Sequence, residues 1–375
     1  MSPTADGAGG ETRNLLRECG LSIVRTFPEH VPVYLCAFVF GAATLAIVAL
    51  FRVPLELDAG EFFLGVVCKF FALGAGLAAL WELASLSRAG FPISPAQTIV
   101  IRIHARFFSG ERLGNVFHTL VAFTPLMVSF AALKGVIPQV HPFAWDSTFM
   151  HWDRAMGLGH MPWQVLQPLL GHPPVTALIN LIYDSWFIVM FGGFFWQAFS
   201  AKGGELRLQF LLAFSFAWFI AGNILAAIFS SAGPCFYGLL LPHGPDPYGA
   251  QMAYLHATAL HWPVWSVTLQ DLLWHSYVRG DGNLGGISAM PSMHITSSAV
   301  LALVAWRTDR RLGIAMWSYT ALIVLGSVHL AWHYVSDGIA GLLLAFLFWI
   351  TAGALARASL RALNPAGFTA IREPA

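Results

Sequence analysis

Charge is what this sequence has least of. Asp, Glu, Lys and Arg make up 10% of its 375 residues and apolar side chains 57%, whereas an ordinary soluble domain carries about 25% charged residues. The 20 basic and 19 acidic residues almost cancel. No net field is present to draw in a polyanion, which excludes a nucleic-acid binder. Cysteine is scarce as well. Cys19, Cys36, Cys68 and Cys235 show no pair spacing and no Cys-x-x-Cys, which argues against a disulfide framework or a zinc site. Residues 1–29 lack the apolar run of a cleavable signal, and the 11–27 stretch reads as an amphipathic helix lying in the membrane interface. There is no repeat, low-complexity tract or soluble domain. What remains is an all-α integral membrane protein.

A helix needs about 20 apolar residues to cross roughly 30 Å of hydrocarbon. Eight such spans are predicted, at about 31–51, 61–86, 113–137, 174–199, 207–230, 288–306, 312–330 and 333–356. The last two are separated because one helix over 312–356 would be about twice the membrane thickness, and His329, His333, Ser336 and Asp337 mark the turn. The 251–277 stretch contains Pro263, Gln270 and Asp271 and is predicted to lie on the membrane rather than cross it.

Lys and Arg alternate in density along this layout. One set of segments holds Arg13, Arg17, Arg25, Arg88, Arg102, Arg106, Arg112, Lys202, Arg207, Arg307, Arg310, Arg311, Arg357, Arg361 and Arg372, whereas the opposite set holds Arg52, Arg154 and Arg279. Lys69 and Lys134 fall inside spans. The positive-inside rule then places both termini in the cytoplasm of a bacterial inner or plasma membrane.

Two short clusters carry the chemistry. Ser288-Ala-Met-Pro291-Ser292-Met293-His294 opens the sixth span, and His329-Leu-Ala-Trp-His333-Tyr334-Val-Ser-Asp337 opens the last. Two spans separate His294 from His333, so both lie on one side, the side poor in Lys and Arg, hence extracytoplasmic. His333 and Asp337 are i and i+4, neighbours on one helical face. A carboxylate there can hold one imidazole nitrogen as N–H and leave the other free to attack. An imidazole titrates at about 6.5, which suits His294 to protonate a leaving alkoxide. Pro291 suits a first helical turn, where Ser292 and the free N–H groups can bind phosphate oxygens. Ionisable groups inside a membrane are costly and point to function.

PSMH294 followed by His333-x-x-x-Asp337 resembles the second and third signature motifs of the type 2 phosphatidic acid phosphatase superfamily. The resemblance implies a six-helix catalytic core over 113–356. A cytoplasmic segment (1–30) and two extra helices with a basic loop (31–112) would precede the core, and a tail (357–375) would follow it. It also implies that His333 is the nucleophile, Asp337 its partner and His294 the acid, with no cofactor and no metal. The His-Tyr-x-x-Asp form, the AGPCFY run at 232–237 and Asp153-Arg-Ala-Met-Gly157 with Pro162 are similar to the branch that holds inositol phosphorylceramide synthases and their bacterial relatives. Tyr237 of that run becomes a substrate-binding candidate.

The chain departs from the phosphatase pattern in three places. It has no Arg-Pro pair for a K-x6-R-P first motif, Ser327 stands where the third motif has Arg, and Met293 replaces Gly in PSGH. With the Arg cradle missing, His329, Arg279, Ser292 or backbone N–H groups are left to hold phosphate. This favours a lipid head-group transferase (an inositolphosphotransferase among them) over hydrolysis. The substrate is then a membrane lipid, and the acceptor a polyol or ceramide-like alcohol. Asp184, beside Tyr183 in the fourth span, is either a packing residue or a contact to a hydroxyl-rich acceptor. Asn223 in the fifth span is expected to join helices. A transporter or proton relay is the alternative of another class. It is disfavoured because a relay spreads its ionisable groups across the bilayer, and here they gather at one face.

Overall fold

Within a bilayer no water satisfies backbone N–H and C=O groups, so apolar runs of this length fold as helices. The computed structural model describes residues 5–52, 58–90, 92, 94–107, 110–200, 204–280 and 286–363, and among these every regular element is helical. The predicted loop residue Lys202 and the end of the predicted tail, 364–375, lie outside the described residues.

The chain begins with α1 (Ala5–Phe51), α2 (Asp58–Ala89), the short α3 (Pro95–Phe107) and α4 (Arg112–Val140). Two short helices follow, α5 (Asp146–Met156) and α6 (Pro162–Leu170), then α7 (Pro173–Asp184) and α8 (Trp186–Ala198), which form one crossing interrupted at Ser185. Next, α9 (Gly204–Phe216) runs through a π-helical segment, Ala217–Leu225, into α10 (Ala226–Ile228). The segment before the sixth predicted span folds as α11 (Tyr237–Leu240), α12 (Gly249–Ala259) and α13 (Trp265–Arg279). The chain closes with α14 (Met293–Thr308), α15 (Arg310–His329) and α16 (Val335–Leu363).

Seven helical stretches are long and apolar enough to cross a membrane: Arg17–Phe51, Glu61–Ala89, Arg112–Pro138, Pro173–Ala198, Gly204–Ile228, Arg310–His329 and Val335–Leu363. The sixth predicted span, 288–306, folds instead as the 16 residues of α14. It is short because Ser292 ends its extended lead-in as N-cap and Asp309 caps α15 at once. Ala299, Val300, Ala302 and Val304 are fully buried, so α14 is the inner helix of the bundle, packed on α8, α9, α15 and α16.

Two further expectations are corrected, those for 11–27 and for Pro291. The 11–27 stretch is not a separate interfacial helix but part of α1, which continues through Pro28 and Pro32. Membrane helices tolerate such prolines because neighbours supply the lost contacts; α1 packs along α4. The fourth predicted span, 174–199, is matched by Pro173–Ala198, with one turn residue at Ser185, whose hydroxyl bonds back to Ile182 O. Pro291 is not in a first turn: it precedes the Ser292 cap. The 251–277 stretch forms α12 and α13, neither of membrane-crossing length. Outside the main core, Phe149, Met161, Trp163, Tyr237, Tyr248 and Tyr334 form a second apolar cluster.

Candidate active site

The site is made by two helix starts packed side by side. Ser292 N–H donates to Asp337 O at 3.2 Å, and the Ser292 hydroxyl accepts from Ile295 N–H at 3.4 Å. Gly341 permits this approach, since a Cβ there would lie 2.9 Å from both Ser292 O and Thr296 Oγ1. The result brings His294 and His333 together with ring centroids 6.0 Å apart, edge to face.

His333 is buried and Asp337 fully so. His333 Nδ1 lies 3.4 Å from Asp337 Oδ2, at the long end of a hydrogen bond, and Oδ2 also accepts from Tyr334 N–H at 3.0 Å. The carboxylate therefore faces Nδ1 and leaves Nε2 as the imidazole's other reactive atom. His294 is half-buried. Its ring stacks on Tyr183 at 4.6 Å and meets Trp186 at 4.1 Å. Trp186 is fixed in turn, its Nε1–H donating to Ser297 Oγ at 2.9 Å.

The turn that carries His333 is tied from many sides. Ala331 adopts a left-handed φ of 59°, a cost that surrounding contacts must hold. Gln251 Nε2 donates to Val328 O and His329 O (2.8 and 3.0 Å), and Gln270 Nε2 to Leu330 O (2.9 Å). Cys235 N–H donates to Ala331 O at 3.0 Å, and Trp332 Nε1–H to Ser266 Oγ at 3.0 Å. Gly233, at φ +107°, lets the 232–234 turn sit against Trp332 O, 2.8 Å from where its Cβ would be.

Two acids complete the support, and sequence reasoning did not give either a role. Asp146 accepts from Ala232 N–H (3.1 and 3.0 Å), Gly233 N–H (2.9 Å) and Tyr334 O–H (2.9 Å). Burial raises its carboxyl above the ordinary value, while these donors pull it back. Asp153 accepts from Val335 N–H at 2.9 Å and Ser336 N–H at 3.3 Å. Burial pushes it up to about 7, against the pull of the same amides. A signal for Asp153 was present: α16 starts at Val335 with no Ser, Thr, Asp or Asn just before it. Its orphan N–H groups needed an acceptor from elsewhere in the chain.

A lysine stands beside the site. Lys134 of α4 lies within electrostatic range of His294 and His333, and among the described residues its amine has neither an ion pair nor a hydrogen bond. The backbone places it. Gly286, just ahead of the PSMH run, packs on Lys134 O, 2.5 Å from its would-be Cβ. One turn back, Phe130 meets Gly222 of the π-helical segment, which also touches Met293 Sδ. Residues i and i+4 share a helix face, so Lys134 faces the start of α14. Its position inside a span, where an unpaired charge is costly, was the sequence signal.

The other candidates are placed as follows. Ser292 is fully buried and capping α14. His329 is buried with Nε2 bonded to Thr176 Oγ1 at 2.9 Å, which makes it a tie between α15 and α7. Tyr237 is buried against Tyr248. Arg279 is exposed in the last turn of α13. Asp184 accepts from Asn180 Nδ2 at 2.7 Å, and Asn180 Oδ1 accepts from Ser266 N–H at 3.0 Å, a helix-joining arrangement. Asn223 lies in the π-helical segment, its amide 3.2 Å from Phe130 O. Among the described residues there is no group of three or more His, Cys, Asp or Glu side chains placed to hold a metal.

A profile of the PAP2 superfamily matches residues 147–351, more than half of the chain. The chain therefore belongs to the PAP2 superfamily, which generally comprises phosphatases and phosphotransferases. No curated protein and no solved structure matches it. The matched stretch begins after α4, so the Lys134 side of the site lies outside it.

Proposed function

We propose that this protein is a membrane phosphotransferase that moves a phospho-head group, phosphoinositol among the candidates, from one lipid substrate to a second alcohol. The reading rests on one observation above the others: the 6.0 Å edge-to-face pairing of His294 with His333. An imidazole nucleophile and an imidazole acid must reach one phosphoryl group together, and this pairing puts both rings at one place.

His333 Nε2 attacks phosphorus and forms a P–N bond. The P–O bond to the lipid alkoxide breaks, and His294 gives that oxygen its proton. Asp337 holds the Nδ1 proton and stabilises the positive ring. The acceptor hydroxyl then gives its proton to His294 and attacks phosphorus, and the P–N bond breaks. Lys134 offsets the anionic charge of the phosphoryl oxygens, in place of the missing arginines. We assign the site to the extracytoplasmic face from the Lys and Arg distribution.

Hydrolysis is the second reading, and it differs only in that water is the acceptor. The near-complete burial of His333 and Tyr334 favours an alcohol delivered from the membrane. Incubation with head-group-labelled phospholipid, with and without inositol or ceramide, separates the two. A new labelled lipid supports transfer, whereas label released to water irrespective of acceptor supports hydrolysis. His333→Ala is expected to abolish turnover while the protein still inserts; full activity there, with loss in His329→Ala, would move the nucleophile to His329.

A further inference from the structure

A groove lies at the opposite end of α14 from the histidines. It is a cavity of about 740 Å³ between α2 and α8, floored by Phe70, Phe71 and Phe195 and reaching Arg112 and Arg307 at one end. Gly74 of α2 and Gly192 of α8 line it, and a Cβ at either would meet no atom within 4 Å. Arg112 is the first residue of α4 and Arg307 lies in the last turn of α14. Among the described residues, no acidic residue lines the groove. Among the described residues neither guanidinium has an ion pair or hydrogen bond to the protein.

We propose that this groove binds one anionic phospholipid, with its acyl chains along the apolar wall and its phosphate on Arg112 and Arg307. Charge complementarity selects the occupant. Two unpaired arginines at one end of an apolar slot suit a group with an acyl tail and a negative head. Both belong to the Lys- and Arg-rich set of segments, and basic clusters beside a membrane attract anionic lipid at about 1 kcal/mol per residue. The site is distinct from the histidine pair: His294 and Arg307 are 13 residues apart on α14, about 20 Å along the helix. It is a lipid seat that joins α2 to the core, independent of the reaction proposed above.

Native mass spectrometry of the full chain, released from micelles holding equal phosphatidylglycerol and phosphatidylcholine, tests this. The wild type should retain one phosphatidylglycerol with at least about fivefold preference. The double variant Arg112→Gln/Arg307→Gln should lose the preference, and Gly192→Leu, which fills the slot, should lower retention of both lipids. Equal retention of the two lipids by the wild type overturns the proposal, and so does an unchanged preference in the double variant. The wild-type comparison stands even where a variant fails to fold.

Discussion

The Tyr334 hydroxyl donates to the Asp146 carboxylate at 2.9 Å, joining positions 188 residues apart. Asp146 also receives the amides of Ala232 and Gly233. One carboxylate thus ties α5, the 232–234 turn and the residue after His333. Tyr334→Phe keeps the ring against Phe149 and Tyr248 but removes a donor from a buried carboxylate, a loss of about 1–3 kcal/mol. We expect a lower melting temperature and a kcat reduced severalfold with KM little changed. Wild-type melting and kcat would show that this link does not position His333.

Asp153 gives a pH prediction. Its folded value of about 7 stands above the unfolded value of about 3.9. Between these values the folded state binds more protons than the unfolded state, so stability falls as pH rises. The stability tied to protonated Asp153 is fully present below about pH 4 and lost as pH passes through about 7. Melting curves of wild type and Asp153→Asn should therefore diverge in slope between pH 4 and 7 and run parallel above pH 8. Parallel curves throughout would mean that Asp153 is already charged in the fold.

The sequence showed the helical class, the turn at 330–334 and the pairing of His294 with His333, because each follows from local signals: apolar run length, i and i+4 spacing and the number of spans between two motifs. What it could not show is long-range. Asp153 completes a helix start 182 positions away, and Thr176 bonds His329 across 153. No periodicity encodes such partners. His329 looked available for phosphate because its tie to Thr176 is such a partner, whereas Ser292 is taken up locally, as the cap that accepts from Ile295 N–H. α14 looked like an ordinary span because sequence hydropathy runs through the extended 288–292 lead-in that precedes its cap.

Lys134 is the next test. A charge-assisted contact contributes about 1.5–3 kcal/mol, which corresponds to roughly 10–100-fold in kcat/KM. Lys134→Met should lower kcat/KM for the phospholipid by that factor, and Lys134→Arg should recover part of it, since the charge is kept. If Lys134→Met shifts the melting temperature but leaves kcat and KM unchanged, the ammonium is a packing feature and some other group holds the phosphate.

The pairing of His294 with His333 allows the acid and the nucleophile to be told apart by the leaving group. A lipid alkoxide departs poorly without a proton, so losing the acid should cost about 10²–10⁴-fold. A nitrophenolate departs readily without one. The His294→Ala defect should therefore shrink sharply when the substrate is a nitrophenyl phosphodiester, while the His333→Ala defect should persist, because the P–N bond must still form. Tyr183 and Trp186 clasp the His294 ring, and alanine leaves a void between them. Melting curves and His294→Gln, which keeps more of the volume, distinguish collapse of this clasp from loss of the proton. An equal defect on both substrates, in a variant that melts like the wild type, would make His294 a phosphate-binding residue. The acid would then have to come from Tyr334 or from solvent.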